Sequence, residues 1–390
     1  MVKAFQIAST PNIIFGVGKR KELPQLIRKV GNNIALIVGK SSFVKSEIGQ
    51  ELIQLIDGFG ITIYQIEIPK EPTPELIDKA VNKLQEIAID VVVAIGGGSV
   101  LDAGKAIAAM LCHKGSIVDY LEGVGNRETS GLTKPFIALP TTSGTGSEAT
   151  KNAVISSIGI NGYKKSLRHD NYVPKIALVD PELTLTCPRG LTAASGMDAF
   201  TQLLESYLSD KASLFTDSLA IKGLVCVKEG LQTSVFEGSN IDARSNMSYA
   251  ALISGITLAN AGLGTVHGFA SSVGGFFDIP HGLVCGTMMG ATNRVTIDKI
   301  RKEGVGEYAL AKYEQVGQIF AGHYSKSQGY YIDFLLELID EYTSQFMLDK
   351  LSLYNVNTTD FNRIIKVTAN KNNPVSLNEE EMYKVLEMSL

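Results

Sequence analysis

Two short stretches, Asn33-Ile34-Ala35-Leu36-Ile37-Val38-Gly39 and Asp90-Val91-Val92-Val93-Ala94-Ile95, are apolar and β-branched without alternation, and each runs into glycine. A strand with one wet face alternates apolar and polar residues. An unbroken run requires burial on both faces, the condition of a parallel sheet covered by helices on each side. The intervening chain agrees: residues 43–59 read as a polar helix-like stretch, 74–87 carry apolar side chains at helical spacing, and 61–68 alternates as a strand. Strands and helices in alternation predict a doubly wound half.

From Thr192 onward the pattern becomes one of long helices, over 194–208, 214–229, 241–259, 305–320 and 329–340. The reading is an α/β Rossmann-like domain over residues 1–187 and an all-α domain over 188–390. Cys187-Pro188-Arg189-Gly190 forms the hinge, and a cleft lies between the halves.

The second apolar run leads into Gly96-Gly97-Gly98-Ser99 and then a helix over 100–110. Glycines let backbone N–H groups approach a diphosphate, and a helix N-terminus adds a favourable field. The spacing is not G-x-G-x-x-G, and such a loop also occurs as a plain strand-to-helix turn. A second donor-rich segment, Leu139-Pro140-Thr141-Thr142-Ser143-Gly144-Thr145-Gly146-Ser147-Glu148, follows another apolar run. Donors after two strands predict a long anionic ligand across the sheet edge.

Bulk properties exclude other classes. The 390 residues carry a net charge of -4 and no Lys/Arg block, which argues against a nucleic-acid partner. No apolar run is long enough to cross a bilayer, and the first ten residues lack an export pattern. Cys112, Cys187, Cys226 and Cys285 form no CxxC pair and read as reduced, buried thiols, so the expected location is cytoplasmic.

The run from Ile95 to Ala108, IGGGSVLDAGKAIA, followed by LPTTSGTGSE, Val179-Asp180-Pro181-Glu182-Leu183, Ser195-Gly196-Met197-Asp198-Ala199 and Ile279-Pro280-His281-Gly282, resembles the iron-dependent (group III) alcohol dehydrogenases. The likeness runs nearly end to end and implies a dehydroquinate synthase-like architecture. It implies hydride transfer between NAD or NADP and a small alcohol or aldehyde, in a homodimer or larger homo-oligomer. By this resemblance Gly97, Gly98 and Ser99 hold the pyrophosphate, Thr141, Thr142 and Thr145 line the cofactor cleft, Leu183 lies near the adenine, and Asp102 and Lys164 lie near the nicotinamide and ribose.

Cofactor choice is read at the end of the first apolar run. An acid there accepts from the ribose hydroxyls and repels a 2′-phosphate. Gly39-Lys40-Ser41-Ser42 offers no carboxylate, and Lys40 with Ser41 could donate to a phosphate, which tilts the reading toward NADP.

The family's metal set is an Asp, a His four residues on and two further His; here the positions hold Asp198, Gln202, His267 and His281. Spacing of four puts two side chains on one helix face, as ligands of one ion require. An amide is a weaker ligand for Fe2+ or Zn2+ than an imidazole, so the site either holds a divalent metal weakly or leaves a metal-free cleft. In the second case His267 or His281 donates to the substrate oxygen as the catalytic group. Ser271 stands where many members have a proton-relaying histidine, while His113, His169 and His323 fit no ligand motif. Alternatives within this frame are a maleylacetate or phosphonate-aldehyde reductase using Lys151, Arg168 or His169, a sugar-phosphate cyclase, and a silent nucleotide-binding relative.

Overall fold

The computed structural model describes residues 4–40 and 42–390. Its strands are β1 (Asn12–Phe15), β2 (Asn33–Gly39), β3 (Thr62–Ile68), β4 (Val91–Gly96), β5 (Phe136–Pro140), β6 (Asn152–Ser157), β7 (Tyr163–Arg168) and β8 (Ile176–Val179). Six of them form one sheet in the order β1-β8-β5-β4-β2-β3, with every pairing parallel. Each residue of β4 is buried, as its unbroken apolar run requires.

Chain direction across the sheet reverses between β2 and β4. From β2 the chain moves outward to β3, and from β4 it moves the other way to β5. Such a switch point opens a crevice beyond the carboxyl ends of the strands. Gly39, ending β2, and Gly96, ending β4, border that crevice.

The remainder is helical, beginning with Arg189–Leu208, Leu214–Phe236, Ile241–Ala261, Thr265–Phe276 and His281–Glu303. The α/β-then-helical reading of the sequence is borne out. The halves share apolar contacts: Ala149, Ala177 and Val179 belong to one buried cluster with Met197, Phe200 and Leu204. A close backbone approach seats the helices on the donor-rich loop. A Cβ at Gly255 would lie 2.2 Å from the Gly146 carbonyl oxygen, and Gly146 itself has φ +61, so neither position accommodates a side chain without a shift.

Two features were not foreseen. The antiparallel pair β6–β7 carries NAVISS and YKKSLR, polar enough to leave no strand signature, yet it forms one wall of the cleft. The other is the pair of helices carrying the histidines, Thr265–Phe276 and His281–Glu303. Ile241–Ala261 and Thr265–Phe276 meet at 99° across Gly262-Leu263-Gly264. His281 is the first residue of the 23-residue helix His281–Glu303, where no helix had been expected. No single helix among the described residues is long and apolar enough to cross a membrane.

Candidate metal and dinucleotide site

A cavity of about 410 Å³ lies between the start of the Gly98–Met110 helix, the β6–β7 wall and the helical half. Gly98, Ser99, Asp102 and Thr145 line it from one side, and Gln202, His267, Ser271 and His281 from the other. Leu258, Ala259 and Leu263 add an apolar wall.

On the dinucleotide side, Gly97 precedes the helix with no side-chain cap; the Val100 N–H turns back to the Gly97 carbonyl at 2.9 Å, which leaves the N–H groups of Gly98 and Ser99 for an anion. Space here is tight: a Cβ at Gly98 would lie 2.7 Å from Thr145 Oγ1. Thr141 continues β5, its N–H donating to the Gly96 carbonyl at 2.9 Å. Thr142 lies against Gly97. Gly39 and the exposed Lys40 end β2 beside this loop, whereas Ser41 lies outside the described residues. Leu183 is buried in the core cluster under the sheet. The preceding Asp180 accepts from the N–H groups of Gly18 (3.1 Å), Arg20 (2.9 Å) and Glu182 (3.1 Å) and pairs with the Arg20 guanidinium. That acid therefore ties the β8 end to the segment after β1.

Asp102 faces the cavity, but its carboxylate is occupied. It accepts from Ser147 Oγ and, at 3.1 Å, from the Val154 N–H; burial pushes its pKa up. Lys164 lines the same cavity and donates to both oxygens of Glu71, at 2.7 and 2.8 Å. Lys151 and Arg168 stand at the rim, paired with Asp170 and Glu122. His169 is turned aside, accepting from the Asn171 N–H at 3.1 Å.

Sequence reasoning missed Lys105. Its ammonium group is buried and donates to the carbonyls of Ser147 (3.0 Å) and Asn152 (2.7 Å) and to Thr150 Oγ1 (3.1 Å), holding the donor-rich loop against the Gly98–Met110 helix. Burial lowers its pKa to about 8. A lone lysine inside the apolar run of that helix was the available signal.

At the inner end of the cavity, one ligand atom from each of Asp198, His267, His281 and Cys285 lies within 4.8 Å of the others. Asp198 Oδ1 is 3.2 Å from His267 Nε2 and 3.8 Å from His281 Nε2. Asp198 sits well inside the Arg189–Leu208 helix, so it does not cap that helix. Burial would raise its pKa, but His281 and His267 hold it down to about 2. Burial lowers His281 to about 4, with Lys164 and His267 adding repulsion; its ring is neutral at neutral pH, the form that ligates metals. His281 Nδ1 is buried without a hydrogen-bond partner among the described residues. For His267 burial opposes charge, yet Cys285, Glu205 and Asp198 together hold the ring well above its ordinary pKa.

Gln202 turns its amide nitrogen toward Asp198 Oδ1 at 3.4 Å, with Oε1 3.3 Å from the Ser254 hydroxyl. Glu205 was also missed. It accepts from His267 Nδ1 at 2.7 Å, the carboxylate–histidine arrangement that orients metal-bound imidazoles. The signal was present, since Asp198, Gln202 and Glu205 fall at i, i+4 and i+7 on one helix face. Hard and borderline donors converging in a buried pocket, backed by a carboxylate behind one ring, fit a divalent cation.

Residues 10–181 match the iron-containing alcohol dehydrogenases, and residues 192–390 match that family's C-terminal part. The chain belongs to this family. It is an oxidoreductase of the alcohol dehydrogenase type. Among its relatives, the long-chain-alcohol dehydrogenase 1 of Geobacillus thermodenitrificans is 35% identical over 269 residues, 68% of this chain and 67% of that one. The NAD-dependent methanol dehydrogenase of Bacillus methanolicus is 34% identical over 275 residues, 70% of this chain and 71% of that one. A crystal structure of 1,3-propanediol oxidoreductase superposes with a TM-score of 0.88 over the whole of both chains at 24% identity, a likeness of fold.

Proposed function

We propose that this protein interconverts a small, uncharged primary alcohol and its aldehyde using a nicotinamide dinucleotide and one divalent cation. The observation that carries this reading is a single cavity with a helix N-terminus at one side and the Asp198–His267–His281 donors at the other.

Gly97, Gly98 and Ser99, with Thr145 behind them, would hold the pyrophosphate through backbone N–H groups and one hydroxyl, and Thr141 and Thr142 would border the rest of the dinucleotide. Asp198, His267 and His281 would hold the cation. When bound, the cation supplies a Lewis acid for the substrate oxygen and the nicotinamide supplies or takes the hydride.

The chain's own residues position and shield. Glu205 holds the His267 ring with Nε2 toward the other donors. Leu258, Ala259 and Leu263 offer apolar surface to a short hydrocarbon chain and keep water out. Lys164 is held by Glu71, and the rim cations Lys151 and Arg168 are each paired, so the interior offers little uncompensated positive charge to an anionic substrate. This disfavours the maleylacetate, phosphonate-aldehyde and cyclase alternatives. Ser271 Oγ donates to the His267 carbonyl at 3.0 Å and does not titrate near neutral pH, so the alcohol proton would pass to water.

Cofactor preference is inferred from Lys40, an exposed cation at the end of β2 where no carboxylate stands, and it favours NADP. The methanol dehydrogenase relative is named as NAD-dependent, which favours the other choice; titration with both reduced cofactors decides. The reading as a whole is tested by following oxidation of the reduced cofactor with short aldehydes, before and after chelation and metal readdition. Turnover that is lost on chelation and recovered with metal is expected. Undiminished turnover in metal-free protein would overturn the cation's role.

A further inference from the structure

The family's second metal ligand, a histidine four residues after the aspartate, is absent here: Gln202 occupies its place and turns an N–H toward Asp198. An amide nitrogen that donates offers no lone pair to a cation. The donor count is restored from another helix. Cys285 lies four residues after His281 on His281–Glu303, on the same helical face. Its sulfur is buried, 3.6 Å from His267 Nε2 and 3.8 Å from His281 Nε2.

We propose that Cys285 is the fourth metal ligand of this protein, replacing the imidazole lost at Gln202 and converting the site to an Asp–His–His–Cys centre. The inference rests on the metal-binding reading given above. Its geometric support is the edge lengths of the cluster. Bonds of about 2.0–2.1 Å to nitrogen and oxygen and about 2.3 Å to sulfur, at tetrahedral angles, put N···S edges near 3.5 Å and O···N edges near 3.4 Å. Observed N···S edges are 3.6 and 3.8 Å, and O···N edges are 3.2 and 3.8 Å. Four of the six edges between donors from three helices thus lie within a few tenths of an ångström of tetrahedral values, and the other two are no longer than 4.8 Å. A substrate oxygen would join as a fifth ligand, an expansion that catalytic zinc tolerates.

The chemistry follows from donor type. Replacing a neutral imidazole with a thiolate adds one negative charge, so that with Asp198 the donors carry two and balance a divalent cation. Sulfur also shifts preference toward zinc and cobalt and away from magnesium or calcium. On binding, the Cys285 S–H bond breaks, its proton passes to solvent and the sulfur lone pair forms the bond to the metal; nothing is oxidised or reduced.

The test uses the full-length protein, stripped of metal and loaded with zinc or cobalt alone. Zinc-edge X-ray absorption of the native chain is expected to show one sulfur neighbour at about 2.3 Å among nitrogen and oxygen neighbours. The cobalt form is expected to show a near-ultraviolet sulfur-to-cobalt charge-transfer band. Cys285→Ser should abolish the band and weaken zinc binding by about 100-fold or more. Replacing Cys112, Cys187 and Cys226 together with serine should leave the band in place. A native site with bound metal and only nitrogen and oxygen neighbours overturns the proposal while leaving the metal reading intact, as does unchanged zinc affinity in a folded Cys285→Ser chain. Loss of the band in the triple variant likewise overturns the assignment to Cys285. Failure of the native protein to bind either metal overturns both readings. Because the absorption measurement needs no variant, a Cys285→Ser chain that fails to fold does not decide the matter.

Discussion

Glu205 grips the chain at two points around His267: one carboxylate oxygen accepts from the ring Nδ1 at 2.7 Å and the other from the Val266 backbone N–H at 2.7 Å. A single acid thereby sets the ring orientation and anchors the first turn of the helix that carries it. Glu205→Gln keeps the shape but replaces one acceptor with a donor. Metal affinity is expected to fall by about 10–100-fold, read by competition with a chromophoric chelator. Native affinity in the folded variant would remove Glu205 from the site.

Gly98 stands where the helix start meets the Thr145 side chain. A methyl group there would lie 2.7 Å from Thr145 Oγ1 and 2.9 Å from its Cγ2. Gly98→Ala is expected to raise the KM for the dinucleotide by about tenfold or more, a loss of about 1.4 kcal/mol of binding. The alcohol KM at saturating cofactor should hardly move. An unchanged cofactor KM would show that the diphosphate binds elsewhere.

The proposed cofactor preference is inferred from Lys40. Lys40→Asp replaces a cation able to meet a 2′-phosphate with an acid able to accept from ribose hydroxyls. The ratio of kcat/KM for NADPH over NADH is expected to fall by about tenfold or more, the size of one charge-assisted contact. A constant ratio would assign selectivity to other residues.

Glu148 gives stability a pH dependence. It is buried, its Oε1 lacks a hydrogen-bond partner among the described residues, and burial pushes its pKa from 4.5 up to about 7. Between those values the folded protein keeps a proton that the unfolded chain has released. Its stabilising contribution is full below pH 4.5 and is lost as pH rises through 7, by at most about 3 kcal/mol. Glu148→Gln stays neutral throughout. The stability difference, native minus variant, measured by urea unfolding of metal-free protein, is therefore expected to shrink from pH 4.5 to 7.5. A flat difference would refute the assignment.

Legibility in the sequence followed the range of the interaction. The parallel sheet was readable because β2 and β4 announce burial on both faces by composition alone. The cofactor loop was readable because glycines and hydroxyls follow strands within a few residues. Asp198, His267 and His281 were named from motif resemblance, and all three meet in the cavity region. The β6–β7 pair escaped because its residues are too polar to mark a strand. Cys285 and Glu205 escaped for a different reason. Glu205 lay on a helix already read from sequence, one turn beyond Gln202, but nothing local says that it faces His267. Cys285 stands one turn from His281. No helix was read over residues 281–303, so the element that brings Cys285 beside His281 went unseen.

Local chemistry in the sequence therefore determined the layered α/β half, the helical half, the glycine loop and three of the residues proposed to hold the cation. The tertiary structure alone decided what completes the centre. A 99° change of direction at Gly262-Leu263-Gly264 swings His267 back over Asp198, and the rotation of His281–Glu303 about its axis aims Cys285 at the same point. Glu205 reaches His267 across 62 residues and Cys285 across 18. Distances of that kind are set by how helices cross, and no local pattern encodes a crossing.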